Sequence, residues 1–308
     1  MNAVGSIGFF NSFKKLLRKR KLQTKGNCID VHIIMQKQLL ELFPQWVHQK
    51  QDANLIMTND LDSIVSCSLL KQVFGYEVNQ YYSFSSLSQK DLTDNRECIG
   101  VDLAIRNGKT YDNHLTMFND FSNVNLESAN INSVLGISAE RYHEKFAMST
   151  AIMLWSLYDL PLPTTLEGKL ILLSIDSGFK GHYDERFNTV HNKYLELMGF
   201  TELIDILNTY DKSVFEKIIR QMKEQDDRVY RRKNGEIHTF LNLDNTSKWL
   251  GVHLEIPNGQ FITIQEFENE KFERRYTNDL MDYKSIFSFA LTHKNYGMMS
   301  TYRKEKQV

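Results

Sequence analysis

The chain has 308 residues, 42% hydrophobic and 12% aromatic, enough for one large core or two of ordinary size. A formal net charge of −1 gives no bulk electrostatic case for nucleic acid or a membrane surface as partner. No apolar run approaches the roughly 20 residues that span a bilayer, which argues against a membrane protein.

The chain opens on a weakly apolar stretch, MNAVGSIGFFNSF, followed by the basic KKLLRKRKLQTK. That order is the reverse of a secretory signal, whose charges come first. Three scattered cysteines, Cys28, Cys67 and Cys98, show neither CxxC nor metal-finger spacing. An odd count without a signal fits a reducing, cytoplasmic compartment. The cluster Lys14 to Lys25 reads either as a solvated arm or as an electrostatic contact with a polyanion.

From residue 28 to 50, apolar residues recur at helical spacing, with Pro44 placed to kink or end a helix. Ala53–Thr58 is short, apolar and suited to a buried strand. Ser63–Phe74 reads as a helix stopped by Gly75. Tyr76–Phe84 and Glu97–Leu103 read as strands. After an Asn-rich loop, 138–159 reads as one long helix stopped by Pro161 and Pro163. Gly168–Ile175 fits a helix or a strand running up to Asp176. Strands alternating with helices predict an α/β layer with a mainly parallel sheet.

The pattern changes near residue 200. Residues 201–228 predict two helices. Segments 236–243, 250–256 and 260–267 alternate like strands, with turn residues at Asp244-Asn245-Thr246 and Pro257-Asn258-Gly259. The expected organisation is a basic arm over 1–27, an α/β domain over 28–200, a helical linker over 201–230, and a smaller α+β domain over 231–308.

Acids fall at the ends of these apolar segments. Asp60 and Asp62 stand in NDLDSIVS, Asp102 closes ECIGVDL, Asp112-Asn113-His114 follows, and Asp176 stands in IDSGF. The carboxyl ends of parallel strands converge on one edge, where ligands bind. Crowded carboxylates repel unless protons or cations neutralise them. Carboxylates with imidazole suit Mg²⁺ or Mn²⁺, and two such ions about 3.5–4 Å apart serve phosphoryl transfer. Taken singly, each acid also has a plain structural use: Asp62 as a helix N-cap, Asp102 and Asp176 as turn residues, His114 as a bonded loop histidine.

DLDSIVS, then VDL, DNH and IDSGF, in that order, resemble the signatures of the DHH phosphoesterase superfamily over about residues 50–180. The DLDS form is most similar to its exopolyphosphatase and pyrophosphatase branches. IDSGF and the two-part layout are similar to its oligonucleotide and cyclic-dinucleotide hydrolases. The resemblance implies a two-ion Mn²⁺ or Mg²⁺ site. Asp60 would bind one ion, Asp62 and Asp176 the other, and Asp102 would bridge. A metal-activated hydroxide would attack phosphorus, and His114, beside Asp112, would stabilise developing charge. Two positions depart from the family's pattern: Ile56 and Asn113 stand where it commonly has His. An amide oxygen at Asn113 is a weaker ligand than imidazole.

The stretch Tyr296 to Arg303 is similar to the end of the family's second domain, with Ser300 and Arg303 as substrate contacts. The Gly-Gly-Gly-His run usual there in the oligonucleotide hydrolases is absent. Arg303 also sits in a charged tail, where a solvated arginine needs no further role.

No Walker A, GxGxxG, HExxH or GxSxG sequence occurs. Tyr142-His143-Glu144 reads as a solvated helical face. Tyr81-Tyr82-Ser83-Phe84 serves core packing or base stacking. The expected function is therefore a metal-dependent phosphohydrolase acting on a short oligonucleotide or cyclic nucleotide. The alternatives are a degenerate relative that binds nucleotide or nucleic acid without cleavage, and a polyphosphate or pyrophosphate hydrolase. A haloacid-dehalogenase-like phosphatase, with Asp60 as nucleophile, ranks lower because it leaves Asp102 and the Asp112–His114 stretch unused. Oligomeric state is left open, a dimer included.

Overall fold

The computed structural model describes residues 35–223, 225–226, 228–273 and 285–303; the basic cluster Lys14 to Lys25 lies outside them. The chain is α/β. Its main sheet has nine strands in the order β10-β11-β9-β3-β2-β1-β4-β5-β6. β1 (Ala53–Met57) lies between β2 (Val78–Tyr82) and β4 (Glu97–Val101), parallel to both. All five β1 residues are buried, which is why the run is mostly apolar rather than alternating; its one polar residue, Asn54, donates its amide to Asp94 Oδ2 at 2.8 Å. Two short parallel strands, β5 (Thr110–Tyr111) and β6 (Ser128–Ala129), complete that side.

Helix α1 (Leu61–Phe74) follows β1, with its first ten residues buried. Its serines are satisfied locally: Ser63 Oγ accepts from Thr58 N at 2.7 Å and donates to Val101 O, and Ser68 Oγ donates to Ile64 O. Gly75 ends the helix at φ 71, a left-handed conformation that a side chain would strain.

On the other side, β3 (Ser86–Gln89) runs antiparallel to β2 and to β9 (Ile262–Glu273). β9 pairs with β11 (Tyr296–Tyr302), and β11 with β10 (Ile286–His293). The C-terminal strands thus extend the main sheet, and the sheet curls. Arg106 N donates to Phe287 O at 2.8 Å and Leu291 N to Leu115 O at 2.8 Å. β10 is thereby tied to the loops that follow β4 and β5, which places Leu291 and Thr292 beside the acids.

Several sequence expectations are corrected. The long helix over 138–159 is broken. Residues Ala139–Glu144 form an irregular 3₁₀ segment, and helix α2 (Thr150–Leu157) starts afresh after Ser149. The buried Asn132 amide accepts from Phe146 N at 2.8 Å and donates to Phe146 O at 3.0 Å, taking groups a continuous helix would use. Glu144 is consequently buried and paired with Arg141 at 3.0 Å rather than solvated. The 28–50 helix is reduced, within the described residues, to Lys37–Leu40 and a 3₁₀ turn, Gln45–His48, capped by Pro44. The segment before Asp176 is a helix, α3 (Leu166–Ser174).

The two expected helices after 200 are α5 (Thr201–Thr209) and α6 (Lys212–Gln221); α4 (Asn188–Leu197) precedes them. Asp244-Asn245-Thr246 is not a turn. It lies inside α7 (Leu243–Leu250), because the Asn242 side chain caps Asn245 N at 3.2 Å. Residues 250–256 form no strand. α3 packs on α6 and α7. A small antiparallel pair, β7 (Val229–Arg231) and β8 (Ile237–Thr239), is anchored beside the acids: Val229 N donates to Asn59 O and Tyr81 Oη donates to Val229 O. No described helix is long and apolar enough to cross a membrane.

Candidate metal centre

Each acid is set by a local backbone feature. Asp60 is the N-cap of α1 and accepts from Ser63 N at 3.1 Å. Asp62, whose plain structural alternative was an N-cap, instead sits in the first turn and serves a different helix. Its Oδ2 accepts from Thr150 N and its Oδ1 from Ala151 N, both at 2.7 Å, so the carboxylate closes the start of α2. Asp102 follows β4 at φ 55, and Asp176 follows α3 at φ 54 with Ser177 at φ 57. Aspartate tolerates this left-handed region better than most side chains, yet it costs energy; three of the five non-glycine residues described there are at this site.

Asp112 is fully buried and accepts from Asn130 Nδ2 at 2.9 Å, while its other oxygen lies 2.6 Å from His114 Nδ1. The same Asn130 amide donates to His114 O, fixing the backbone of the pair. The imidazole is thus oriented by a buried carboxylate, with Nε2 left for the cleft.

Two groups of side chains could each hold a cation. Asp62, Asp102 and Asp176 bring oxygens within 4.8 Å of one another, and so do the ligand atoms of Asp102, Asp112 and His114. Asp102 belongs to both. Asp60 belongs to neither but lines the two clefts that meet at the acids. One, of about 320 Å³, is also lined by Asp102, Asn113, His114, Lys145 and Thr292. The other, of about 150 Å³, also takes in Asp62 and Ser174. Asp176 lines both.

The electrostatics are those of too many carboxylates in too little water. Burial, then Asp176, lifts Asp60 to about 6. Burial, then neighbouring carboxylates, pushes Asp62 and Asp102 well above the usual range. Burial opposes charge on His114, but Asp112, Asp102 and Asp176 outweigh it and hold its pKa near 10. Such a cluster takes up protons or cations. The donor set, carboxylate oxygen plus one imidazole, fits a hard divalent ion such as Mg²⁺ or Mn²⁺.

Asn113 Nδ2 donates to Met148 O at 2.9 Å and to Asp176 Oδ2 at 3.1 Å. Two acceptors fix the amide with its nitrogen toward the acids, so the side chain positions Asp176 rather than offering its oxygen there. Ile56 is buried against Tyr82, Leu103, Ile105 and Phe267, in apolar packing. Ser300 and Arg303 are not gathered with the acids. Ser300 is 2% exposed and bonded to Tyr82 Oη and Asn269 Oδ1. Arg303 pairs with Glu266 and lies 4.0 Å from Glu268. Tyr81 and Tyr82 are buried, as core packing requires.

Besides Asn130, sequence reasoning missed three participants. Thr150 donates its hydroxyl to Asp102 at 3.1 Å, Lys145 lines the larger cleft, and Thr292 reaches it from β10. The first two depend on the unforeseen break before α2, and Thr292 on the curl of the sheet; no local pattern marks any of them. No protein-family model matches the chain, and neither a curated protein nor a solved structure does.

Proposed function

We propose that the protein is a divalent-metal-dependent phosphohydrolase acting on a phosphodiester in a short oligonucleotide or cyclic nucleotide, in the manner of the DHH phosphoesterases. The observation that supports this most is that Asp62, Asp102 and Asp176 bring ligand oxygens together while Asp102 also adjoins the hydrogen-bonded Asp112–His114 pair. Bound Mn²⁺ or Mg²⁺ would supply an activated water and neutralise charge on the phosphoryl group. Asp62, Asp102 and Asp176 would hold one ion, and Asp102 also faces the second position. Asp112 keeps His114 protonated at Nδ1, so that Nε2 can donate to a phosphoryl or leaving oxygen. Asn113 holds Asp176 in place, and Lys145 adds a positive charge to the wall of the larger cleft. The described thiols Cys67 and Cys98 are free, in keeping with a cytoplasmic setting.

The test is Mn²⁺-dependent hydrolysis of a dinucleotide, a cyclic dinucleotide and polyphosphate by the wild type and Asp102→Asn, with Mn²⁺ binding followed by calorimetry. Hydrolysis that is lost with Mn²⁺ binding in the variant supports the reading. Hydrolysis unchanged in the variant refutes the assigned centre. A second reading, nucleotide or nucleic-acid binding without cleavage, is favoured by one observation, the Asn113 amide turned nitrogen-first to Asp176. Binding without turnover on any of the three substrates would select it, and turnover of polyphosphate alone would move the substrate to a phosphoanhydride.

A further inference from the structure

Helix α2 opens on two hydroxyl residues, and its own start needs only one of them. Ser149 is the cap: its Oγ accepts from Ile152 N at 3.2 Å. Thr150 is the first helical residue and is fully buried, and its hydroxyl donates to Asp102 Oδ1 at 3.1 Å instead of serving the helix. Its N–H, which has no acceptor inside the helix at that position, donates to Asp62 Oδ2 at 2.7 Å. One residue thus grips an acid from the segment after β1 and another from the segment after β4. Threonine is a weaker helix former than alanine, so local propensity does not account for it.

Asp102 is the acid that needs holding. It brings an oxygen within 4.8 Å of those of Asp62 and Asp176, and it also adjoins Asp112 and His114. The last torsion of a carboxylate is broad, so an unheld Asp102 is free to turn its oxygens toward either side. Its backbone is anchored through its N–H to Tyr111 O at 2.8 Å, and among the described residues the bond from Thr150 is what anchors the carboxylate. A branched Cβ restricts χ1, so the threonine hydroxyl has few directions to take.

We propose that Thr150 is a positioning residue for the metal centre: its hydroxyl fixes the plane of the Asp102 carboxylate and keeps an oxygen of it beside those of Asp62 and Asp176, ready for an ion. The inference rests on the proposed Mn²⁺ or Mg²⁺ centre and adds the residue that preorganises it. Removing such an outer partner of a metal ligand costs about 10–100-fold in metal affinity.

The probe is Mn²⁺ alone, with its affinity measured by calorimetry on variants first shown by melting in EDTA to be folded. Thr150→Val keeps the shape and the N–H and loses the hydroxyl; Thr150→Ser keeps the hydroxyl and loses a methyl group. Thr150→Val should weaken Mn²⁺ about 10–100-fold, while Thr150→Ser should stay within about threefold of the wild type. A residue that only fills the core would give the reverse order, since valine preserves the buried bulk better than serine. If Thr150→Val melts too low to be assayed, Thr150→Ser against Thr150→Ala makes the same comparison, with the hydroxyl as the difference. Wild-type affinity in the variant without the hydroxyl, a loss in Thr150→Ser as large as in that variant, or a wild type that binds no Mn²⁺ would each overturn the inference. Mn²⁺ binding weakened in Thr150→Val and kept in Thr150→Ser, in a protein that hydrolyses none of the three substrates, would keep the inference and remove the hydrolase reading. Hydrolysis by the wild type, with Mn²⁺ affinity equal in the wild type and Thr150→Val, would do the reverse.

Discussion

The sequence points to two places of chemical interest, and the fold treats them differently. The acids at 60 and 62, 102, 112 and 176 come from four separate segments and meet at the ends of β1, β4, β5 and α3. Ser300 on β11 and Arg303 just past its end lie three apart and contact different neighbours, Ser300 in the core and Arg303 among surface glutamates. Parallel strands bring their carboxyl ends to one edge whatever their separation along the chain. Closeness in sequence on an antiparallel ribbon gives no such convergence.

The largest expected effect is at Asp102, which both ligand groups share. Asparagine also tolerates φ 55, so Asp102→Asn leaves the backbone in place. It should lower kcat/KM on a cleaved substrate by at least about a thousandfold, equivalent to about 4 kcal/mol of transition-state stabilisation. In EDTA the same variant should melt higher than the wild type, because one repelling buried charge is gone. A variant that retains activity, or that melts lower in EDTA, would separate Asp102 from the cluster.

Asp62 should behave in the opposite sense. Its carboxylate closes the start of α2 as well as facing the acids. Asp62→Ala leaves the N–H groups of Thr150 and Ala151 without their acceptor and should destabilise the metal-free protein by about 2–4 kcal/mol. Urea unfolding in EDTA reads this directly. An increase in stability would mean that repulsion, not the helix start, dominates at Asp62.

The pH dependence sharpens the contrast further. Asp60 has its folded pKa raised from 3.8 to about 6, so the folded state holds this proton more tightly than the unfolded chain. The associated stability is present below 3.8 and is lost as pH rises through about 6, on the order of 3 kcal/mol. Asp62 and Asp102 shift in the same direction. His114 acts in another window: its stabilisation is present below 6.5 and lost as pH climbs through about 10. Surface pairs such as Asp184 with Arg186 have the opposite slope in acid, so the informative quantity is a difference. Asp60→Asn keeps the N-cap and removes the titration. In EDTA, the wild type should lose stability relative to this variant between pH 4 and 6, and saturating Mn²⁺ should cancel the loss. A difference that stays flat with pH would show Asp60 ionised throughout.

What was legible in the sequence follows the same division. β1, α1 with its Gly75 stop, and β4 are marked by short-range apolar pattern and capping, and they carry Asp60, Asp62 and Asp102. The break before α2 was not legible, because it is made by Asn132, a residue 14 positions from Phe146. Asn130, Thr150 and Thr292 became visible only with the tertiary structure, as their partners are 16 or more positions away or belong to another strand. α7 was hidden by residues that favour turns, since Asn242 turns the same polar chemistry into a cap.

The smallest expected effects belong to the second place. Ser300→Ala removes a buried hydroxyl bonded to Tyr82 and Asn269 and should cost about 1–2 kcal/mol of stability without changing Mn²⁺ affinity. Arg303 is 57% exposed at its side chain, and its pairs with Glu266 and Glu268 are screened by water. Such pairs contribute about 0–1 kcal/mol, so Arg303→Ala should lower stability by no more than about 1 kcal/mol and leave kcat/KM within twofold of wild type. A tenfold rise in KM for a phosphodiester in Arg303→Ala, with Mn²⁺ binding unchanged, would mean that the ribbon moves toward the acids when substrate binds. The two places would then be one site in the bound state, joined through β10, the strand that already reaches the cleft at Thr292.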